Sequence, residues 1–189
     1  MISLALHTIH NALNTHLREV FKLEKETVIM HTLSEDKNIS IASNTLGFTV
    51  VNIEVENNRK TYSPYVKHGS GIAKQQPPVN LNVYILISAC FKTTQYLEGL
   101  HWLSEAIAFF QNKPVFDAVN TPGLPTEIEK LTMELVNVDI QEQGHFWSAL
   151  SSKYKPSVIY KMKQVSITEN KMKAIIPTIQ KAIPNLFKE

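Results

Sequence analysis

Two short motifs in the sequence place a glutamate three residues before a histidine: Glu98-Gly-Leu-His101 and Glu142-Gln-Gly-His145. Residues three apart share one face of a helix, and di-iron carboxylate bundles use this Glu-x-x-His spacing. Such a centre also needs two further helices that each supply a glutamate, whereas this chain offers strands there. Both motifs contain glycine, which weakens a helix. Chance pairing on helix surfaces explains the motifs better than a metal centre, so we expect no metal site.

Other residue types that do chemistry are scattered. His7 and His10 form a pair at helical spacing, but no nearby aspartate or cysteine completes a ligand shell. The single cysteine, Cys90, lies in an apolar run, and the sequence has neither a Gly-x-Ser-x-Gly elbow nor a phosphate-binding glycine loop. We therefore expect no catalytic residue and no cofactor. A small metal-dependent enzyme built on the two Glu-x-x-His motifs is kept as an alternative.

Length and composition describe one ordinary globular domain. The chain has 189 residues, of which 43% are hydrophobic and 19% charged, and a net charge of +2. That charge is too small for a dedicated nucleic-acid binder or a polybasic membrane anchor. The longest apolar run, residues 83–91, is about half the ~20 residues of a membrane span. Polar residues interrupt the N-terminal apolar residues before a secretory signal forms, so we expect a cytoplasmic protein with neither nucleic acid nor membrane as partner.

The pattern of apolar residues predicts the elements in the first half of the chain. Steps of three and four from Ile2 to Val20 indicate an opening helix. A β-branched run at 27–33 and a segment at 39–43 predict short strands. Residues 46–56 predict a strand with Thr49, Val51, Ile53 and Val55 on one face and Asn52, Glu54 and Glu56 on the other. Residues 57–78 have little periodicity and predict a projecting loop.

The second half begins with the strongest strand, residues 77–91, which we expect to be covered on both sides over its later part. A second helix is predicted from Tyr96 to Phe110, capped by Thr93 or Thr94, and a short strand at 115–119. Residues 127–138 fit both a strand and a helix, and we favour the strand. Asp139 is the expected cap of a third helix, and residues 157–167 predict a last strand. The tail after residue 170 has helical spacing interrupted by prolines.

Seven stretches, taken in order, resemble one known family. They are Ile2-Ser-Leu-Ala-Leu6, Val51-Asn-Ile-Glu-Val-Glu56, Pro77-Pro-Val-Asn-Leu-Asn-Val-Tyr84, Tyr96-Leu-Glu-Gly-Leu100, Phe109-Phe-Gln-Asn-Lys-Pro-Val-Phe116, Phe146-Trp-Ser-Ala-Leu150 and Lys155-Pro-Ser-Val-Ile-Tyr-Lys161. This order is similar to the N-terminal domain of the cap, or tube-terminator, protein of contractile injection systems. Those systems are phage-tail-like particles related to the antifeeding prophage and virulence-cassette machines. The resemblance covers residues 2–168, and none of its motifs is catalytic.

The resemblance implies a structural protein of the α+β class, a single domain in which a twisted mixed sheet of about five strands is flanked by about three helices, as in phage tail terminators. It further implies a hexameric ring on the distal end of the inner tube, with this chain itself, the tube protein and the sheath protein as partners. The protein is then cytoplasmic until it joins a particle that can be released. Another baseplate-associated or sheath-associated adaptor of the same particle is the alternative within this class.

The expected contact residues follow from where the chain is polar or apolar. A tube or sheath contact is expected at the polar strand face and the loop that follows it: Glu54, Glu56, Arg59, Lys60 and Lys67. Subunit interfaces need apolar centres, for which the candidates are Phe109, Phe110, Phe116, Ile175, Ile179 and Leu186. For the phenylalanines, core packing is the competing interpretation. We expect residues 1–168 to form the terminator-like domain and residues 169–189 to form a tail or docking arm.

Overall fold

The computed structural model describes residues 1–32, 44–56, 65–68, 71–74, 79–150, 152–167 and 174–177. The chain divides into two compact units. The larger one comprises Met1–Glu56 and Asn80–Ser166, and the smaller one comprises Asn57–Val79 and Ile167–Glu189. The predicted boundary between residues 168 and 169 remains a prediction, as does the strand at 39–43, which lies outside the described residues.

Three α-helices form where the sequence predicts them. They are α1 (Ile2–Phe21), α2 (Tyr96–Asn112) and α3 (Ile140–Ala149). Helix α1 buries one apolar stripe and is closed by Lys22, whose left-handed backbone (φ 54°) turns the chain so that the Leu23 N–H donates to the Arg18 carbonyl at 3.0 Å. The Asp139 side chain caps α3 by accepting the Gln141 N–H at 2.9 Å, which confirms that prediction.

The start of α2 differs from the prediction. A 3₁₀ turn, Thr93–Gln95, precedes the helix, and neither end of that turn nor the helix start has a side-chain cap. The glycine of the Glu98-Gly-Leu-His101 motif has a packing role, because a Cβ on Gly99 would lie 2.9 Å from the Phe91 ring. A glycine that weakens an isolated helix here lets α2 approach the end of a strand closely.

Nine strands occur in the described residues. In chain order they are β1 (Val28–Met30), β2 (Thr45–Val55), β3 (Tyr65–His68), β4 (Gly71–Lys74), β5 (Val79–Cys90), β6 (Val115–Asp117), β7 (Lys130–Val136), β8 (Ser157–Ile167) and β9 (Ala174–Pro177). Six of them form one sheet in the order β1-β2-β5-β8-β7-β6. The β1–β2 pair is parallel, whereas β2–β5, β6–β7 and β7–β8 are antiparallel. The mixed sheet and three helices confirm the α+β class, with six strands in the main sheet instead of about five.

A β-bulge in β2 corrects the predicted faces of that strand. The register with β5 shifts between Val50, which pairs with Ile85, and Asn52, which pairs with Tyr84. The extra residue reverses the alternation, so Thr49 lies on the opposite face from Ile53 and Val55. A single inserted residue leaves no signal in the hydrophobic pattern, which is why the sequence predicted one uninterrupted face.

The two faces of the six-stranded sheet carry different helices. On one face, Ile85 and Ile87 of β5 belong to the same buried cluster as residues of α1 and α2. On the other face, Leu86 of β5 packs with Trp147 of α3. Because neighbouring residues of a strand point to opposite sides, α1 and α2 lie on one face and α3 on the other. Leu86, Ser88 and Cys90 are all buried, which confirms that both sides of the later part of β5 are covered.

Aromatic side chains fill the core under α1 and α2. The Phe110 ring lies 4.7 Å from the Tyr160 ring and 6.3 Å from the Phe116 ring, and the Trp102 ring stacks on Phe21 at 4.9 Å between centroids. The buried hydrophobic residues of this cluster come from both helices and from every strand of the main sheet, with Phe116 as the contribution of β6. This face therefore provides the main hydrophobic core of the larger unit.

The smaller unit contains a three-stranded antiparallel sheet in the order β3-β4-β9. Strands β3 and β4 lie inside residues 57–78, so the prediction of an irregular loop there was wrong for eight of its residues, Tyr65–His68 and Gly71–Lys74. Strand β9 lies in the tail, where the apolar residues have helical spacing and a docking arm was predicted. Its pairing with β4 is a contact between segments far apart in sequence, which local spacing does not reveal.

Candidate assembly surface

Strands β2, β5, β8 and β7 place polar residues side by side on the sheet face that carries α3. In the register, Asn52 of β2 pairs with Tyr84 of β5, and Glu134 of β7 pairs with Lys161 of β8. Paired residues of adjacent strands point to the same side of a sheet. We call this surface the polar face and define it by Asn52, Glu54, Tyr84, Glu134, Lys161 and Lys163.

Hydrogen bonds connect the polar face across β2 and β5, and a cation–π contact continues it to β8. The Tyr84 hydroxyl donates to Glu54 Oε2 at 2.9 Å, and Asn52 Nδ2 donates to Glu54 Oε1 at 3.2 Å. The Lys161 ammonium lies over the Tyr84 ring, 5.4 Å from its centroid, which is a cation–π contact. The Glu54 carboxylate is thus held in one place although it lies on an exposed strand end.

An ion pair continues the polar face from β8 to β7. Lys163 Nζ lies 2.6 Å from the Glu134 carboxylate, and their side chains are 30% and 49% exposed. An ion pair this exposed contributes only about 0–1 kcal/mol to stability. The two carboxylates and two ammonium groups of the polar face balance, so its fixed pattern of charge favours recognition of a complementary surface over general attraction.

A buried amide lies in register with Glu54. Asn82 is 5% exposed and pairs with Glu54 across β2 and β5, and its Oδ1 has no hydrogen-bond partner among the described residues. An unsatisfied buried acceptor is uncommon in folded proteins and costs roughly 1–3 kcal/mol. A buried polar group that the described residues do not satisfy therefore lies beside the polar face.

Helix α3 covers the other end of this sheet face. Trp147 is 4% exposed and packs with Leu86, and a groove of about 300 Å³ runs between α3 and the ends of β7 and β8. The indole N–H of Trp147 is buried, and within the described ranges it has no hydrogen-bond partner. Here the contact between α3 and the sheet is apolar, in contrast to the charged surface beside it.

A second groove, of about 630 Å³, lies along the outer side of α1. It is lined by polar residues of that helix, by Phe109 and Lys113 near the end of α2, and by the loop at residues 121–125. The Phe109 ring contacts the His16 ring at 4.8 Å between centroids. Phe109 is therefore the one predicted phenylalanine that reaches a surface of the described chain.

The other predicted interface residues lie in the core, in β9 or outside the described residues. Phe110 and Phe116 are 2% and 0% exposed, so they pack inside the chain and do not present an apolar surface to a neighbour. Ile175 lies in β9, opposite Ala73 of β4. Ile179 and Leu186 lie outside the described residues.

Of the predicted tube-contact residues, Glu54 belongs to the polar face. Glu56 follows β2, and its N–H donates to the Asn80 carbonyl at 2.8 Å. Lys67 lies in β3 opposite Ile72, while Arg59 and Lys60 lie outside the described residues. Sequence reasoning did not include Tyr84 or Glu134, because their place beside Glu54 and Lys161 depends on which strands are neighbours.

The residues considered for metal binding do not come together. Glu98 and His101 lie on α2, and Glu142 and His145 lie on α3, across the sheet from it. Within the described ranges, no group of three or more histidine, cysteine or acidic side chains has the geometry to hold a metal ion. His10 is buried, and its Nε2 bonds to the Val28 carbonyl at 2.9 Å, which removes it from any pair with His7.

Comparison with known proteins identifies one family and several solved structures of similar fold. The family model described as "Pvc16 N-terminal domain" matches residues 5–181. A search of curated proteins finds no match. The fold is similar to the sheath/tube terminator of the extracellular contractile injection system PVC in its extended state, with a TM-score of 0.67 and 12% identity. It is also similar to the tube-terminating cap of the anti-feeding prophage, with a TM-score of 0.62 and 14% identity.

The structural matches cover nearly all of this chain but a smaller share of each related chain. The matches cover 96% and 93% of this chain but only 63% and 59% of the two related chains. The chain thus spans about three fifths of the length of the structures it resembles. No helix in the part of the chain that the structure describes has both the length and the apolar character needed to cross a bilayer.

Proposed function

Since the chain belongs to the Pvc16 N-terminal domain family, we propose that it is a structural cap that ends the inner tube of a phage-tail-like contractile injection particle. The observation that carries this proposal is a fold shared, over 96% of the chain, with a sheath/tube terminator. The cap of the anti-feeding prophage supports the same role. Contact with the end of the sheath is part of the proposal.

Stopping a tube is a problem of surfaces. Stacked rings present one face that binds the opposite face of the next ring, and such head-to-tail contacts repeat without closing. A cap ends the series when it binds the last ring with one surface and presents a different surface outward. The chain needs only complementary contacts for this role, so catalysis is not part of the proposal.

We assign the tube contact to the polar face. Glu54, held by Tyr84 and Asn52, and the Lys163–Glu134 pair form a fixed pattern of opposite charges. Such a pattern contributes little to folding but discriminates between partners, because a mismatched charge costs several kcal/mol at an interface. Four further charged residues are separate candidates for the tube or sheath contact: Glu56, Arg59, Lys60 and Lys67.

A ring of six copies is the proposed form of the cap, with Phe109 beside the second groove as the apolar contact between subunits and the 169–189 tail as a docking arm. Stable interfaces of this kind bury on the order of 1,000 Å² or more. The protein is made in the cytoplasm and joins the particle there. Its partners are further copies of itself, the inner tube protein and the sheath protein, with neither nucleic acid nor membrane among them.

Electron microscopy of particles made without this protein tests the role. We expect tubes and sheaths of uncontrolled length, and restoration of a narrow length distribution when the wild-type chain is supplied. Lys161→Glu places a third carboxylate on the polar face and should fail to restore the length. The matched control is Lys153→Glu, an exposed lysine ahead of β8, which should restore it. Wild-type lengths in particles without the protein would contradict the proposal.

Two further outcomes separate the competing roles. Cross-links to the baseplate end of the particle, with tube length unchanged, would identify a baseplate adaptor instead. Stoichiometric iron or manganese in the purified protein would favour the metal-dependent enzyme, and a cap should contain neither.

A further inference from the structure

The two outermost strands of the six-stranded sheet, β1 and β6, each have one backbone edge that no described strand pairs with. An open edge of this kind is a template on which another chain can add a strand. At both edges of this sheet, side chains bond to outward-facing backbone groups, namely those of Val28 in β1 and of Val115 and Asp117 in β6.

The direction of the backbone groups in β6 follows from its pairing with β7. The Met133 N–H donates to the Pro114 carbonyl at 2.8 Å. The backbone hydrogen-bonding groups of Pro114 and Phe116 therefore point toward β7. Val115 and Asp117 alternate with them, so their backbone N–H and carbonyl groups point outward, away from β7.

The turn after β6 satisfies these outward groups. Asn120 Nδ2 donates to the Val115 carbonyl at 3.0 Å, and Asn120 Oδ1 accepts the Asp117 N–H at 3.2 Å. The Thr121 N–H donates to the Asp117 carbonyl at 2.9 Å. The carboxamide of Asn120 thus makes the two bonds that a peptide group of an added strand would make.

Two side chains of α1 bond to the outward-facing backbone groups of β1. The Leu46 N–H donates to the Thr27 carbonyl, and the His31 N–H donates to the Phe48 carbonyl. The backbone groups of Thr27 and His31 thus face β2, and those of Val28, one residue after Thr27, point outward. Its N–H donates to Asn14 Oδ1 at 3.1 Å, and its carbonyl accepts from His10 Nε2 at 2.9 Å. Because a carbonyl only accepts, His10 Nε2 carries a proton.

The same device occurs where β2 extends beyond β1. The Glu56 N–H donates to the Asn80 carbonyl of β5. The backbone groups of Glu54 and Asn52 therefore also face β5, and those of Ile53 point outward. The outward Ile53 N–H donates to Asn52 Oδ1 at 2.9 Å. Side-chain amides of Asn14, Asn52 and Asn120 therefore each accept one outward N–H, on three different strands.

We propose that these side chains seal the main sheet against strand addition, so that a neighbouring subunit binds this chain through its faces, helices and turns and never by continuing this sheet. Exposed apolar residues show why sealing is needed: Ile53 and Val55 are 47% and 60% exposed on a strand that reaches past its neighbour. Exposed apolar strands with free edges associate readily. This property belongs to the isolated chain and does not depend on the cap role.

Asn120 provides the test because it is exposed in a turn and its loss leaves the core intact. Asn120→Ala frees both the Val115 carbonyl and the Asp117 N–H. We expect the purified variant to show at least a doubling of mass relative to wild type as its concentration rises, because edge-to-edge pairing makes dimers first. Analytical ultracentrifugation gives the mass, and hydrogen exchange should show new protection of the Asp117 amide in the associated form.

Asn120→Asp keeps the acceptor for the Asp117 N–H but loses the donor to Val115, and should associate less than Asn120→Ala. Asn112→Ala, at the exposed end of α2, is the matched control and should keep the wild-type mass. Thermal unfolding confirms that each variant is folded. A folded Asn120→Ala protein that keeps the wild-type mass at every concentration would overturn the proposal, as would association without protection at Asp117.

Discussion

The two faces of the six-stranded sheet differ in what covers them and in what their residues do. The face under α1 and α2 is apolar across the sheet and holds the Phe110, Phe116 and Tyr160 rings in contact. The face under α3 is apolar only beside Trp147 and then becomes the charged polar face. The face under α1 and α2 therefore contributes most of the hydrophobic burial that stabilises the fold. Much of the face under α3 is not needed for that burial.

The largest effect is expected from truncation in the core under α1 and α2. Phe110→Ala removes a ring that is 2% exposed and contacts two other rings. Loss of a buried aromatic side chain costs about 3–5 kcal/mol, because a cavity is left as well. Urea unfolding of Phe110→Ala and of the milder Phe110→Leu should show this order of stability. A change in Phe110→Ala below about 1 kcal/mol would mean that this face is not the main core.

Truncation under α3 should have a smaller and more local effect. Trp147 is the one buried residue of α3 among those described, and it packs in a small cluster beside an open groove. We expect Trp147→Ala to cost about 2–4 kcal/mol and to raise hydrogen exchange in α3 first. Trp147→Phe keeps most of the contact and is the control. Exchange that rises equally in α1 would show that the two faces are not separable.

A pH effect should come from the buried tyrosine of the first face. Burial raises the pKa of Tyr160 from 10.0 to about 12. The unfolded chain therefore loses this proton first as the pH rises, so the free energy of unfolding falls between pH 10 and pH 12 and is unaffected below. Unfolding measured across this range should show a shallower decline in Tyr160→Phe than in wild type. Equal declines in the two proteins would exclude Tyr160 as the source.

The smallest effect on stability is expected on the polar face. Lys163→Ala breaks the ion pair with Glu134, and both side chains are partly exposed, so the cost should stay within about 1 kcal/mol. Binding to tube ends should nevertheless weaken, since the charge pattern is altered. A stable Lys163→Ala protein that binds tube ends as wild type does would remove this ion pair from the proposed contact.

Much of this architecture was predictable from the sequence. Long periodic segments predicted the ends of α1 and β8 to within about one residue and those of β5 to within about two, because each element buries one regular face. The hairpin of β3 and β4 was missed, since four-residue strands carry too little periodicity to separate from a loop.

The candidate surface was predictable only in part. Glu54 was identified from strand alternation, but Tyr84 and Glu134 join it only because β5 and β7 flank β8 in the sheet. That order is a tertiary feature. The edge-sealing bonds of Asn120 and Asn14 likewise require knowing which backbone groups point outward, which the strand register alone reveals.

The cap role is tested most directly by locating the chain on assembled particles. A short peptide tag at the N-terminus, labelled with gold, marks its position in cryo-electron micrographs, with tagged tube protein as the control for labelling along the whole length. The account predicts label at one end of each particle, the end opposite the baseplate. Label along the sheath, at the baseplate, or on no particle would contradict it.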